Sequence, residues 1–247
     1  MSSYKKMAKV YDELIYEDID YSKISNKIMD SFNKHSKGNE YYLDLACGTG
    51  NVAIELQNNF KNTFLVDLSQ DMLIEAEGKF REKRKKVKIV CQDMCELNLN
   101  RKFNLITCVL DSTNYILEEE DLKSYFESVY NHLEDEGIFV FDINSYYKLS
   151  EVLGNNIYTY NSEDVFYTWE NIFEDDILEM NLTFFIKDGI LYEKFEEVHE
   201  ERAYREEEIE NILNEIGFEI LEKNEAYSEK EVDENSERIV YIVKKKN

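Results

Sequence analysis

The stretch Tyr41-Tyr42-Leu43-Asp44-Leu45-Ala46-Cys47-Gly48-Thr49-Gly50-Asn51 decides the fold. Residues 41 to 46 are short and apolar enough for a buried strand, and a helical pattern follows from 50 to 59. Between them, Gly48 and Gly50 let the backbone turn sharply and let a ligand approach the main chain with no Cβ in the way. Gly48-x-Gly50-x-x-Ala53 meets the loose pattern of a dinucleotide loop, which alone is a weak signal. Asp44, six residues before Gly50, adds a carboxylate placed to hold an ammonium group or to organise the loop.

Working outward, the same alternation continues. Apolar runs at 63 to 67, 87 to 92, 103 to 110 and 137 to 142 read as strands, and the spacing predicts helices at 70 to 82 and 118 to 133. Strands alternating with helices imply right-handed βαβ units and a parallel sheet. Upstream, Val10, Leu14, Ile24, Ile28 and Phe32 recur at helical spacing, broken by a turn at 18 to 22. After Asn144 the pattern changes to Tyr-, Phe- and Val-rich runs from 152 to 202, with turn signals at Gly154-Asn155-Asn156, Glu174-Asp175-Asp176 and Lys187-Asp188-Gly189. This reads as an antiparallel meander inserted into one domain, with residues 1–151 and 203–247 forming the core and 152–202 a lid. A helix at 205 to 216 stops at Gly217, and strands near 218 to 226 and 238 to 245 close the chain.

In an open α/β sheet, ligands bind beyond the carboxyl ends of the strands where strand order reverses. Each of the first five predicted strands carries an acid at or just past that end: Asp44, Asp67, Asp93, Asp111 and Asp142. Any one of them alone reads as a cap or turn former. Together they suit a ligand with positive charge and many hydroxyl and amino donors. Asp67, seventeen residues after Gly50, is placed to accept from both hydroxyls of a ribose, a feature shared by nicotinamide and S-adenosylmethionine (SAM) sites. Its alternative is a cap before Ser69.

Composition narrows the partners. The formal charge of −24 weighs against nucleic acid, because phosphate binding draws on a basic surface. The one basic run, Lys79 to Lys88, follows an amphipathic segment and reads as a helix end. No apolar run has the length of a membrane span, and the start leads into no apolar signal core, so a cytoplasmic protein is expected. The four cysteines, at 47, 91, 95 and 108, have no second Cys/His pair to complete a zinc site, so no metal is expected and they read as reduced thiols.

The motifs resemble those of class I SAM-dependent methyltransferases. Asp44-Leu45-Ala46-Cys47-Gly48-Thr49-Gly50 is similar to the first motif of that family, and Leu65-Val66-Asp67-Leu68-Ser69-x-x-Met72-Leu73 to the second. Gln92-Asp93-Met94 resembles the third, where an acidic side chain meets the adenine amino group. Leu110-Asp111-Ser112-Thr113-Asn114-Tyr115 sits where the family lines the methyl-transfer site. The likeness extends to Val10-Tyr11-Asp12-Glu13-Leu14 and to Val198-His199-Glu200-Glu201-Arg202-Ala203-Tyr204, which resemble a bacterial subgroup of unassigned substrate. More distantly the layout is similar to sugar N-methyltransferases and glycine N-methyltransferase. Ala46 departs from the glycine that many members carry.

The resemblance implies a doubly wound, seven-stranded Rossmann-like sheet, with the last strand antiparallel, N-terminal helices and an antiparallel β lid. It implies an enzyme that binds SAM through Tyr11, Asp44, Ala46, Gly48, Gly50, Asp67, Leu68, Met72, Asp93, Met94 and Asp111. A chain without proline cannot carry the Asp/Asn-Pro-Pro-Tyr/Phe loop or the Pro-Cys nucleophile of families similar to this one that methylate bases or glutamine, which leaves small-molecule or other acceptors. Aromatic faces stabilise a sulfonium by roughly 0.5 to 2 kcal/mol each, and Tyr11, Tyr16, Tyr21, Tyr115 and Trp169 are candidates, each with a plain core role as its alternative. A protonated acceptor needs a base, and His199, where the meander returns over the core, has the suitable chemistry. Its alternative is a polar cross-strand partner. His199, Asp111 and Tyr115 are therefore expected as catalytic groups, with Asn114, Trp169, His199 and Arg202 around the acceptor. Two other readings stay open: a nicotinamide-dependent oxidoreductase on the same sheet, and a SAM-binding module without turnover.

Overall fold

The structure, a computed structural model, describes residues 19–246. Tyr11 and Tyr16 lie outside them, as does the first half of the predicted N-terminal helices. The alternation produces β1 (Tyr41–Leu45), β2 (Asn62–Asp67), β3 (Lys88–Cys91), β4 (Phe103–Cys108), β5 (Leu133–Asn144), β10 (Phe218–Glu225) and β11 (Arg238–Lys245) in one sheet, ordered β10-β11-β5-β4-β1-β2-β3. The first five strands are parallel, and β11 runs antiparallel to both β5 and β10. Strand order reverses between β1 and β4, the place where such sheets bind ligands.

Alternate residues along each strand feed two cores. On one face, Leu43, Val66, Ile106, Phe139 and Phe141 meet α4 (Glu119–His132) through Leu122, Tyr125, Phe126 and Val129, and α5 (Glu206–Ile216) through Ile209, Ile212 and Leu213. On the other, Tyr42, Leu65, Leu105, Ile138 and Val140 meet α1 (Tyr21–His35), α2 (Asn51–Leu56) and α3 (Gln70–Glu82) through Ile24, Ile28, Phe32, Ala53 and Phe80. Burial on both faces is why these strands read as apolar runs and not as alternating ones. Local chemistry sets the ends: Ser69 accepts from the Met72 N–H to start α3, and Gly217, at φ 106°, ends α5.

A second, four-stranded antiparallel sheet holds β6 (Ile157–Asn161), β7 (Val165–Glu174), β8 (Ile177–Asp188) and β9 (Leu191–Arg202) in that order. The β7–β8 turn has Asp175 and Asp176 both at positive φ, the two-residue hairpin geometry that aspartate tolerates. Pairing puts Trp169, Leu182 and Glu197 in one row, and Asn171, Met180 and His199 in the next, on one face. That face packs on the core: Leu178, Met180 and Trp169 meet Leu149 and Leu153 of the turn that follows β5. The pleat sends Glu200 and Arg202 to the opposite face.

Two elements differ from expectation. Strand β5 begins at Leu133, across the acidic run Glu134-Asp135-Glu136 that looks like a loop. It continues through an irregularity opposite Phe103–Leu105, where a Cβ on Gly137 would sit 2.8 Å from the Phe103 carbonyl oxygen. Residues 148–153 form a wide helical turn, closed by the Gly154 N–H on the Leu149 carbonyl, a spacing that periodicity does not reveal.

Candidate functional site

At the end of β1, Asp44 is buried beneath the glycine loop. Thr107 of β4 donates to its Oδ1 at 2.7 Å, and the Tyr42 hydroxyl bonds Thr107 in turn. Its Oδ2 is buried and meets no donor among the described residues. Burial pushes the carboxyl up to about 7, with the charge of Asp67 adding to the rise against the Thr107 bond. Asp44 also lines a small cavity with Tyr21, Ala46, Gly48, Thr49, Leu110 and Ser112, so Tyr21 is at the site.

The loop divides its glycine work. A Cβ on Gly48, at φ 53°, would point into open space within the cradle, so this position keeps the main chain open to a ligand. A Cβ on Gly50, at φ 77°, would press on Phe80 at 3.2 Å, so this glycine serves the packing of α3. Ala46 is left-handed at φ 52°, which costs a residue with a Cβ about 1–2 kcal/mol. Lys79 donates to Thr49 Oγ1 and Asn51 Oδ1 and braces the loop from α3.

Asp67, closing β2, accepts from the Gly48 N–H on Oδ2 at 2.7 Å and from the Ser69 N–H on Oδ1 at 2.8 Å. Each oxygen keeps a lone pair for a hydroxyl. Leu68 beside it is exposed, whereas Met72 turns inward and is buried. Asp93 is exposed past β3, accepting from the Cys95 N–H, and Met94 packs on the core.

Past β4 the expected roles change. Asp142 is fully buried, and its carboxylate takes the N–H groups of Leu110 and Asp111, the Tyr227 hydroxyl and Arg238. With all of its acceptor sites engaged it is structural, and the expectation that it faces a ligand is corrected. Asp111 is itself paired with Arg238 at 2.6 Å, which offsets its charge and argues against an acid–base role. Asn114, expected at the acceptor, is buried with its amide saturated: Nδ2 donates to the carbonyls of Asn144 and Arg202, and Oδ1 accepts the Asn144 N–H. It pins the second sheet to the core. Arg202 is likewise not brought beside His199, since the pleat turns it away to donate to the Leu117 carbonyl and cover the Tyr204 ring.

Tyr115 and His199 do come together. The phenol oxygen lies 3.3 Å from His199 Nδ1 and the rings cross edge to face. Tyr115 is 42% exposed and His199 8%. Burial lowers the imidazole pKa and so favours the neutral ring. Trp169 shares the His199 face one row away, packed on Tyr158, with its buried Nε1 lacking an acceptor among the described residues.

Sequence reasoning passed over Glu201, Lys148, Tyr227 and Arg238. Asn144 bridges the first two, donating to Glu201 Oε2 at 2.8 Å and accepting from Lys148 Nζ at 2.9 Å. Burial and the charge of Asp111 push Glu201 up to about 8, and burial with Arg238 nearby lowers Lys148. Glu201 adjoins the quoted His199 motif, but nothing in the sequence shows which donors reach these groups.

Comparison with known proteins agrees with this geometry. A methyltransferase-domain family model matches residues 43–137. Over 98% of its length the chain is 31% identical to a methyltransferase-family protein of Geobacillus sp. (strain WCH70), all of which is covered. It is 53% identical to a SAM-dependent methyltransferase from Clostridium acetobutylicum ATCC 824, whose crystal structure superposes with a TM-score of 0.94 over the whole of both chains. It is also 31% identical, over 54% of its length and 55% of the relative's, to the dTDP-3-amino-3,4,6-trideoxy-alpha-D-glucopyranose N,N-dimethyltransferase of Streptomyces venezuelae. These findings do not support the oxidoreductase and non-catalytic readings. The residues fit SAM: a buried oxygen, Asp44 Oδ2, that meets no donor among the described residues, an open cradle at Gly48 and two half-engaged oxygens on Asp67.

Proposed function

The chain belongs to the SAM-dependent methyltransferases, and on that premise we propose that it transfers the methyl group to a small-molecule acceptor held between the carboxyl edge of the core and the inner face of the four-stranded sheet. The observation that carries this reading is the Tyr115–His199 contact, which joins the post-β4 segment of the core to β9. The charge of −24 favours such an acceptor over nucleic acid. A relative named for methylating a dTDP-linked amino sugar supports the same class. We place the protein in the cytoplasm, where thiols such as Cys47, Cys91, Cys95 and Cys108, unbridged here, stay reduced.

SAM, when bound, supplies a methyl group already activated on a sulfonium. The chain's own part is placement and exclusion of water. In this reading Asp44, Ala46, Gly48 and Gly50 form the cofactor loop, Asp67 holds the ribose, and Leu68, Asp93 and Met94 flank the adenine. Residues 152–202 act as the lid, and Tyr115, Trp169 and His199 meet the acceptor. A neutral imidazole serves best with Tyr115 donating to Nδ1, because His199 Nε2 is buried whereas the exposed phenol oxygen is then polarised toward the acceptor.

Incubating the protein with methyl-labelled SAM and a library of small metabolites tests the reading; label is expected in a low-molecular-weight product. On that acceptor, His199→Ala should lower kcat by roughly 10² to 10⁴-fold if the ring takes the proton, or mainly raise KM if it orients, with SAM affinity unchanged. Label found only in RNA, with transfer collapsing as salt rises, would overturn the substrate class. Unaltered kcat and KM would remove His199 from the site.

A further inference from the structure

Leu110 and Asp111 are consecutive non-glycine residues in left-handed backbone, at φ 60° and 59°. Such a pair persists only where its surroundings hold it. The conformation turns both N–H groups to one side, where they donate to Asp142 Oδ2 and Oδ1 at 2.8 and 2.7 Å. Each of those oxygens takes a second donor: the Tyr227 hydroxyl on Oδ2 and Arg238 on Oδ1. The other terminal nitrogen of Arg238 reaches Asp111 Oδ1 at 2.6 Å.

Topology delivers Arg238 there. Strand β11 is antiparallel, so its first residue arrives at the edge where the parallel strands end, opposite Asn144 of β5. The turn it holds is functional surface. Leu110 and Ser112 line the cavity that also contains Asp44, Gly48 and Thr49, and Tyr115, at the end of the same turn, meets His199.

We propose that Arg238, seated with Asp142 and Tyr227, is a positioning residue: it holds the Leu110-Asp111 turn in its strained form and so sets the wall of the cofactor pocket. The role calls for a guanidinium, because two carboxylates are held by two nitrogens of one rigid fork, whereas a lysine offers a single point charge. The strain is what distinguishes positioning from general stability. Glycine adopts left-handed backbone without the Cβ penalty, so a glycine at 110 makes the clamp less necessary.

The experiment is a cycle of Arg238→Lys, Leu110→Gly and the double variant, read by calorimetric binding of S-adenosylhomocysteine, with melting curves to show that each variant is folded. Arg238→Lys is expected to weaken binding about tenfold in the wild-type background, and by less than a third of that factor when Leu110 is glycine. Tyr227→Phe, which removes one hydroxyl and keeps the ring, is expected to give the same pattern at smaller amplitude, and stands in if Arg238→Lys does not fold. Wild-type affinity in both clamp variants would overturn the proposal. So would equal losses in the two backgrounds, because a merely structural arginine is not rescued by glycine at 110.

Discussion

If Asp44 holds the cofactor as proposed, binding should depend on a proton. The Asp44 carboxyl is held up at about 7 by burial, Thr107 engages Oδ1, and Oδ2, which meets no donor among the described residues, is the oxygen expected to take a ligand donor. A cationic ligand group binds the ionised form, so binding releases the proton and affinity falls as pH drops below 7. An acid of pKa about 7 is about 3% ionised at pH 5.5 and half ionised at pH 7.0. SAM should therefore bind about fifteenfold more weakly at pH 5.5, a difference of about 1.6 kcal/mol. This window lies below the ordinary α-amino range of about 7.7 to 8.0, so the ammonium of the ligand keeps its charge throughout. Titration calorimetry measures the slope directly, and in buffers of different ionisation enthalpy it should show about half a proton released per site at pH 7. Asp44→Asn keeps an acceptor for Thr107 and removes the titration; its affinity should be lower at pH 7 and nearly flat between 5.5 and 7. A flat wild-type profile, or an unchanged slope in Asp44→Asn, would refute the reasoning.

Two further outcomes are expected. Asp67→Ala removes a charged acceptor for two hydroxyls and leaves the Gly48 and Ser69 N–H groups without their partner; SAM affinity measured by calorimetry should drop by about 1.5 to 3 kcal/mol or more. Glu222 ties α1 to β10: burial alone would raise its pKa, but hydrogen bonds from Lys27, Lys34 and His35 outweigh this and hold it down at about 2. Because the folded value lies below the unfolded one, its stabilisation is complete above about pH 4.5 and is lost as pH falls toward 2. Glu222→Gln should lower unfolding free energy by about 2 to 3 kcal/mol at pH 7 in urea titrations, with the gap to wild type closing in acid.

The sequence by itself determined the elements and the loop. Helix α3 spans the predicted 70 to 82, and β11 the predicted 238 to 245, because periodicity, caps and turn residues are local properties of the chain. The glycine loop and the placement of Asp44 and Asp67 at strand ends were legible for the same reason. Only the tertiary structure decided what each polar group does, since a carboxylate is a ligand site or a brace according to the donors that reach it. Asp111 and Asp142 meet Arg238 from 127 and 96 residues away, through a register that exists only once β11 inserts beside β5. Asn114 looked like an acceptor contact until the backbone of Asn144 and Arg202 filled its amide. Arg202 lies three residues from His199 in the chain, yet the pleat places them on opposite faces, while Tyr115, 84 residues distant, becomes the partner of the imidazole.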